Sequence, residues 1–173
     1  MRPTSIAALG AAVMALSIPA SAHEPAAKAA QQTTLPQSAR AAAVIVDAFH
    51  AALRRGDTRS AAALLANDAL IFEEGGAERT KAEYAAHHLP ADAEFSKLAT
   101  STVTRRAGGA NGTLAWITSE GRMTGTWKRK ALDRATTETM VLRRNGGAWK
   151  IIHIHWSSGA KQSRQQETGK FHA

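Results

Sequence analysis

The sequence predicts an α+β domain in which three N-terminal helices pack on a curved, mainly antiparallel sheet. Apolar residues recur at helical spacing as far as about residue 95 and alternate as in strands beyond it. Helices followed by a run of strands are typical of α+β domains. The run over 149–158 carries apolar residues on both of its faces, which indicates a central closing strand covered on both sides.

Apolar spacing and capping residues predict the first two helices. Residues 41–55 place apolar side chains at i, i+3, i+4 and i+7, and Gly56 is suited to the left-handed position that ends a helix. Asp57 can cap a second helix over 58–66. A short strand is predicted to follow over 69–73.

The third helix is predicted from a capping box. Thr80 and Glu83 have the spacing of that motif, and the helix is expected to run to His87 or His88. Pro90 lies just past this predicted end, as is common for a residue that cannot continue a helix.

Glycine-rich turns divide the second half of the chain into strands. Gly121 and Gly125 indicate a bend where the sheet curls into a cone around the first helix. The predicted strands cover 95–106, 113–122 continuing over 123–128, 136–144 and 149–158.

The N-terminal residues of the chain predict export. Arg2, an apolar run over 6–18 and the small residues Ala20 and Ala22 have the pattern of a cleaved signal peptide, with an uncleaved anchor as the alternative. The mature chain would begin at His23, in the periplasm or outside the cell, and would not be embedded in a membrane. The predicted segments are a signal peptide over 1–22, a flexible linker over 23–40, one domain over 41–158 and a polar tail over 159–173.

Composition excludes several kinds of chemistry. The 173 residues include no Cys, which rules out disulfides, thiolate metal sites and a cysteine nucleophile. The formal net charge is +8, and the basic residues concentrate in the sheet half, mostly in or beside turns. An anionic partner and solvated strand ends both explain that charge. A nucleic acid partner is not expected, because aromatic stacking motifs are lacking.

Three short segments resemble SnoaL-like domains of the nuclear transport factor 2-like superfamily, which have a cystatin-like α+β barrel. Residues 48–57 and 65–71 read AFHAALRRGD and LANDALI, and residues 147–158 read GAWKIIHIHWSS. The resemblance covers about residues 41–158 and implies a cone with an internal pocket, usually dimeric through the outer face of the sheet. The superfamily includes ketosteroid isomerases, cyclases, dehydratases and oligomerisation modules. The paired-acid and tyrosine site of the isomerases cannot be placed residue by residue on this chain, which has one Tyr.

Tyr84, His87 and His88 form the first set of candidate site residues, on the third helix. Since residues three and four apart share a helix face, at least one His is expected to point inward with Tyr84. The alternative is that these rings close the helix against the sheet and bond to backbone carbonyls.

The second set lies on neighbouring strands, with Glu120 and Glu138 as acids and Trp116 and Met140 as apolar walls. A carboxylate that is desolvated in such a cavity can act as a general base. Cross-strand pairing of either acid with an arginine is the alternative.

The closing strand supplies the third set. Period two places Ile152, Ile154 and Trp156 on one face, and His153 and His155 with Ile151 on the other. The two His could hold zinc or copper with a third ligand, or could face a dimer interface or solvent.

The leading prediction is an exported, homodimeric domain that binds a small organic ligand and needs no cofactor. His88 and Glu138 are the candidate general acid/base residues. A non-catalytic dimerisation module and a periplasmic copper or zinc binder using His153 and His155, His87 and His88, or His23 are the alternatives. The residues predicted to contact the ligand are Tyr84, His87, Trp116, Glu120, Met140, His155 and Trp156.

Overall fold

The computed structural model of the chain describes residues 35–160, so the predicted signal peptide and most of the linker and tail lie outside the described residues. Its helices are α1 (Gln37–Arg55), α2 (Thr58–Leu64), α3 (Lys81–Ala86) and α4 (Leu89–Leu98). Its strands are β1 (Leu65–Glu73), β2 (Gly76–Glu78), β3 (Ala99–Asn111), β4 (Leu114–Trp127), β5 (Lys130–Asn145) and β6 (Ala148–Ala160).

The six strands form one sheet in the order β2-β1-β6-β5-β4-β3. All neighbours pair antiparallel except β1 and β6, which are parallel. The helices pack on one face of this sheet, and α1 contacts β3, β4 and β6. The predicted fold class is thus confirmed. The face toward α1 is called the concave face below, and the opposite face is the outer face.

Capping explains where the helices begin and end. Gly56 has φ 72° and ends α1, and the side chain of Asp57 caps α2 by accepting from Ser60 N at 2.9 Å. Thr80 Oγ1 accepts from Glu83 N at 3.0 Å at the start of α3, as the capping box predicts. However, α1 begins at Gln37, so the last residues predicted as linker are helical.

A fourth helix corrects the predicted count of three. The sequence prediction treats Pro90 as a residue that follows a helix, whereas it lies in the first turn of α4. Proline suits that position because its missing N–H would have no partner there and its fixed φ matches the helix. Residues 89–98 are therefore helical, and the next strand begins at Ala99, not at Phe95.

The core lies between α1 and the concave face. Val46, Phe49 and Leu53 of α1 are buried there against Ile117 and Met140 of the sheet. This apolar packing fills the centre of the cone. Polar side chains of the concave face lie toward one end of it, as described below.

A bulge in β6 corrects the predicted alternation of the closing strand. The register between β5 and β6 shifts beside Ile152, so Ile151 and Ile154 both point into the core and are 0% exposed. The extra residue of a bulge breaks strict period two. His153, His155 and Trp156 keep the relative faces that the sequence predicts, with the His pair outward.

Candidate functional site

One row of side chains crosses the concave face from strand to strand. The register pairs Glu73 with Trp156, Trp156 with Glu138, Glu138 with Ser119, and Ser119 with Arg106. Directly opposite residues share a face of the sheet, so these five form one transverse line on β1, β6, β5, β4 and β3. It is called the polar row below.

A histidine from α1 meets the centre of the polar row. His50 Nε2 lies 2.7 Å from Glu138 Oε2, and Trp156 Nε1 donates to the same oxygen at 2.7 Å. The side chain of Glu138 is 10% exposed, while that of His50 is 31% exposed. A buried carboxylate thus holds an imidazole that solvent or a ligand can reach.

Arg106 and Asp47 extend this contact toward β3. Arg106 Nη1 donates to Asp47 Oδ1 at 2.7 Å, and its Nε donates to Ser119 Oγ at 3.3 Å. Asp47 and His50 are three residues apart and so share one face of α1. The helix therefore adds one acid and one imidazole to the row.

The pKa of Glu138 lies below its ordinary value. Burial acts to raise it, but the hydrogen bond and charge of His50 outweigh burial, together with the hydrogen bond from Trp156 and the charge of Arg106. The carboxylate is therefore ionised at neutral pH. Glu138 is thus buried as predicted, but its pKa is not raised, because its partners outweigh the burial. Its role as a general acid or base stays a prediction.

The other end of the row is acidic. Tyr84 is 0% exposed, and its hydroxyl donates to Asp92 Oδ2 at 2.7 Å. Burial raises the pKa of Asp92, although the hydrogen bond from Tyr84 and the charge of His88 oppose the rise. Burial and the charges of Asp92 and Glu74 raise the pKa of Glu73 to about 7.

The pKa of Tyr84 is also raised. Burial is the main cause, followed by the charge of Asp92 and the hydrogen bond to it. Its phenol is thus a fixed donor, not a source of phenolate. The predicted role in closing the helix against the sheet agrees with this contact, although the acceptor is a carboxylate and not a backbone carbonyl.

Both histidines after α3 are exposed, which corrects the expectation that one points inward with Tyr84. The helix ends at Ala86, so the spacing argument does not extend to His87 and His88. The side chain of His88 is 62% exposed, and its Nδ1 contacts the buried Glu78. The structure brings His50, not His88, to Glu138.

Trp116 and Glu120 lie on the outer face, which corrects their expected position beside Glu138. Ser119, not Glu120, is the register partner of Glu138, so the two acids point to opposite faces. Glu120 pairs with Arg105 at 3.3 Å. A hollow of about 260 Å³ on this face is lined by Arg105, Trp116 and Glu120 among others.

The remaining predicted residues divide between the two faces. Met140 is buried in the core, and Trp156 stacks on Phe49 with ring centroids 6.3 Å apart. His153 and His155 contact Phe72 on the outer face with their own rings 6.5 Å apart. Among residues 35–160, no group of three or more His, Asp or Glu side chains could hold a metal ion. His23 lies outside the described residues.

Sequence reasoning missed His50, Asp47 and Asp92. The sequence did contain a signal for His50 and Asp47. Asp47 directly follows Val46 and His50 directly follows Phe49, so both place a polar side chain at the edge of the apolar stripe of α1. Asp92 gave no such signal, since α4 itself was not predicted.

Comparisons with known proteins agree with this architecture. The sequence profile of the SnoaL-like domain matches residues 43–161. A proposed ketosteroid isomerase from Shewanella frigidimarina NCIMB 400 is 38% identical and has a TM-score of 0.68, covering 72% of this chain and 100% of its own. No curated protein matches the chain significantly. Within residues 35–160, no helix has the length and apolar character needed to cross a membrane.

Two more distant structures share the fold. An uncharacterised protein with a cystatin-like fold from Caulobacter vibrioides is 12% identical with a TM-score of 0.63, covering 73% of this chain and 92% of its own. A proposed dehydratase of the NTF2-like family from Streptomyces avermitilis is 16% identical with a TM-score of 0.58, covering 70% and 97%. The profile match, the 38% identity and the helices packed on a six-stranded sheet together show that this chain belongs to the SnoaL-like domain family, with an NTF2-like, cystatin-like fold.

Proposed function

We propose that the polar row binds a small organic molecule and that His50, oriented by Glu138, transfers a proton on that molecule without a cofactor. The observation that carries the proposal is the 2.7 Å contact between His50 Nε2 and the buried Glu138 carboxylate, with the imidazole itself partly accessible. A general acid or base needs this combination of fixed orientation and access to the reacting group.

The contact assigns a role to each ring nitrogen of His50. The nitrogen that faces an ionised carboxylate carries the hydrogen, so in the neutral imidazole Nδ1 is the acceptor. Nδ1 makes no hydrogen bond to other residues of the described part of the chain. It can take a proton from a bound ligand, and Glu138 then stabilises the imidazolium, as a carboxylate does in hydrolase triads.

The other titratable groups are less suited to this role. The hydroxyl of Tyr84 is buried and already donates to Asp92, and His88 contacts Glu78 away from Glu138. The relative at 38% identity is described as a proposed ketosteroid isomerase. Ketosteroid isomerases move a proton with a general base. We place the reaction among isomerase, cyclase and dehydratase chemistry.

A ligand screen by thermal shift tests binding, followed by proton-exchange measurements on each hit by NMR. His50→Gln should retain binding and lose exchange, by roughly 100-fold or more for removal of a general base. His155→Gln is the matched control, because His155 is exposed on the outer face. Equal exchange in wild type and His50→Gln would contradict the assignment.

Export is the second part of the proposal. Support comes from the sequence alone, through Arg2, the apolar run over 6–18 and the small residues ending at Ala22. Mass spectrometry of the protein secreted or released from the periplasm should find His23 as the first residue. A full-length chain beginning at Met1 would contradict cleavage.

We also propose a homodimer through the outer face. Trp116, Leu114 and Phe72 are large apolar residues on that face and are 46%, 49% and 37% exposed. Leu114 and Trp116 are neighbours on one face of β4, and exposed apolar groups of this kind are typical of an interaction surface. Light scattering should find a dimer that Trp116→Glu converts to a monomer. A wild-type monomer at micromolar concentration would contradict this assembly.

A further inference from the structure

Among residues 35–160, Arg134 has no carboxylate partner, unlike four of the other five arginines of the sheet. Within residues 35–160 its one hydrogen bond runs from Nε to Ser158 Oγ at 3.0 Å, and the side chain is half-buried. Arg144 is exposed and lies over Trp149. The remaining four sheet arginines pair with acids: Arg105 with Glu120, Arg106 with Asp47, Arg122 with Asp133 and Arg143 with Asp68.

Arg134 lies on the same face as the proposed site. Arg134, Thr136 and Glu138 alternate along β5 and so point to the concave face, and Ser158 follows Trp156 by two residues on β6. The guanidinium is thus held beside Ser158, about 7 Å along the strand from Trp156, since two strand residues span that distance. Thr136, Ser158 and Arg134 are half-buried, so this end of the concave face is reachable from solvent.

The contact with Ser158 leaves the charge of Arg134 uncompensated. The hydroxyl is neutral and accepts from Nε, so Nη1 and Nη2 remain as a parallel pair of donors. That pair matches the two oxygens of a carboxylate, and a partly desolvated cation gains most from such a bidentate partner. The serine fixes the plane of the guanidinium and therefore the direction from which the anion approaches.

We propose that Arg134 is the anion-binding residue of the concave site and that its ligand is a carboxylate-bearing organic molecule. This inference rests on the proposed function, because the end of the ligand opposite its carboxylate is the one that reaches His50. Ser158 and Trp156 are roughly 7 Å apart along β6, so the ligand must extend along the strand to place its carboxylate at Arg134 and its other end at His50. The indole of Trp156 would lie beside the body of the molecule between them.

Isothermal titration with a series of phenylalkanoates, from benzoate to 5-phenylpentanoate, and with the matching primary amides tests the inference. Wild type should bind at least one acid 10-fold or more tightly than its amide. Arg134→Met should abolish that preference and leave amide binding unchanged. Arg134→Lys should retain part of it, because lysine keeps the charge without the paired donors.

Arg144→Met is the control for net charge, since Arg144 lies ten residues further along β5, about 33 Å away. It should keep the full preference for the acids. Circular dichroism and thermal unfolding of Arg134→Met show whether the fold is intact, and Arg134→Lys provides the same test if it is not.

The outcomes separate this inference from the proposed function. Equal binding of acids and amides by wild type, or an unchanged preference in both Arg134 variants, overturns the anion site and leaves proton transfer by His50 untouched. A preference that depends on Arg134, combined with proton exchange unaffected by His50→Gln, overturns the catalytic proposal and supports the anion site. Absence of binding by every acid and amide overturns the anion site.

Discussion

Glu73 and Glu138 occupy equivalent places in the sheet but have opposite electrostatics. Each is a register partner of Trp156, one on β1 and the other on β5, and both point to the concave face. The pKa of Glu73 is raised to about 7, through burial and the charges of Asp92 and Glu74. The pKa of Glu138 is lowered, although burial opposes this, because His50, Trp156 and Arg106 stabilise its charge.

The difference comes from the helices, not from the sheet. α1 brings His50 to Glu138, whereas α4 brings another acid, Asp92, to Glu73. Burial disfavours a charge in both places, and only a partner of opposite sign or a hydrogen-bond donor compensates for it. The pKa of the acid is therefore lowered at one end of the polar row and raised at the other.

The largest effect on stability is expected when the carboxylate at the ionised end of the polar row is removed. Glu138→Ala leaves His50 and the indole N–H of Trp156 without their acceptor, and we expect a loss of about 3 kcal/mol in the free energy of unfolding. Urea titration measures it. Glu120→Ala, which removes an exposed acid from the outer face, should cost about 0–0.5 kcal/mol. Similar losses for the two variants would contradict the assigned burial of charge.

The next largest effect is expected at the acidic end of the polar row, where Glu73 makes stability depend on pH. In the unfolded chain Glu73 releases its proton near 4.5 and in the folded protein near 7. The folded state thus binds more protons between these values, and stability falls as the pH rises from about 4.5 to 7. Glu73→Gln should remove that fall and gain about 1–3 kcal/mol at pH 8, a range reduced for the partial exposure of Glu73.

Glu94→Gln, an exposed change on α4, is the control for that measurement. It should follow the wild-type dependence of stability on pH. Glu138 acts in the opposite direction, because its depressed pKa means that stability is lost as the pH falls below about 4.5. Denaturant midpoints across pH 3–9 therefore test both ends of the row together.

A smaller effect concerns the one donor at the acidic end. Tyr84→Phe removes the hydrogen bond to Asp92 while keeping the buried ring, and we expect a loss of about 1–2 kcal/mol. In a double-mutant cycle with Asp92→Asn, the two changes should be far from additive. Additive losses would show that the phenol does not stabilise Asp92.

The smallest effect concerns the second donor at the ionised end. Trp156→Phe keeps an aromatic ring against Phe49 but removes the N–H that reaches Glu138. His50 remains as a partner, so we expect a loss of about 1 kcal/mol. The midpoint of acid unfolding should move to higher pH, because Glu138 loses one of the groups that lower its pKa. An unchanged midpoint would assign the stabilisation to His50 and Arg106.

Local patterns explain why much of the fold was predictable. Gly56, Asp57 and Thr80 each act at a helix end through their own backbone or side-chain chemistry, and the structure has them there. Pro90 was ambiguous because proline is common both after a helix and in its first turn. The sequence around it favoured neither use strongly, and tertiary contacts of Leu89 and Ala93 with the core decide it.

The site was harder to predict because it depends on which face of each strand turns inward. Alternation correctly groups Trp116 with Glu120, but it does not say which group faces the helices. Ala115 and Ile117 are smaller than Trp116. They are buried beneath α1, and the indole of Trp116 lies on the outer face. The encounter of His50 with Glu138 joins a helix to a strand 88 positions later, which local spacing cannot reveal.

The parallel pairing of β1 with β6 has a consequence for how the chain reaches its native state. Leu70 lies beside His153, so β1 can pair with its second neighbour in the sheet only after the last strand has been synthesised. During synthesis the β1–β2 pair has no further strand to join until the later hairpins have emerged. Such long-range closure is slow. A chain truncated before residue 148 lacks β6, so one edge of β1 stays unpaired. Such a chain would be a substrate for chaperones or proteases.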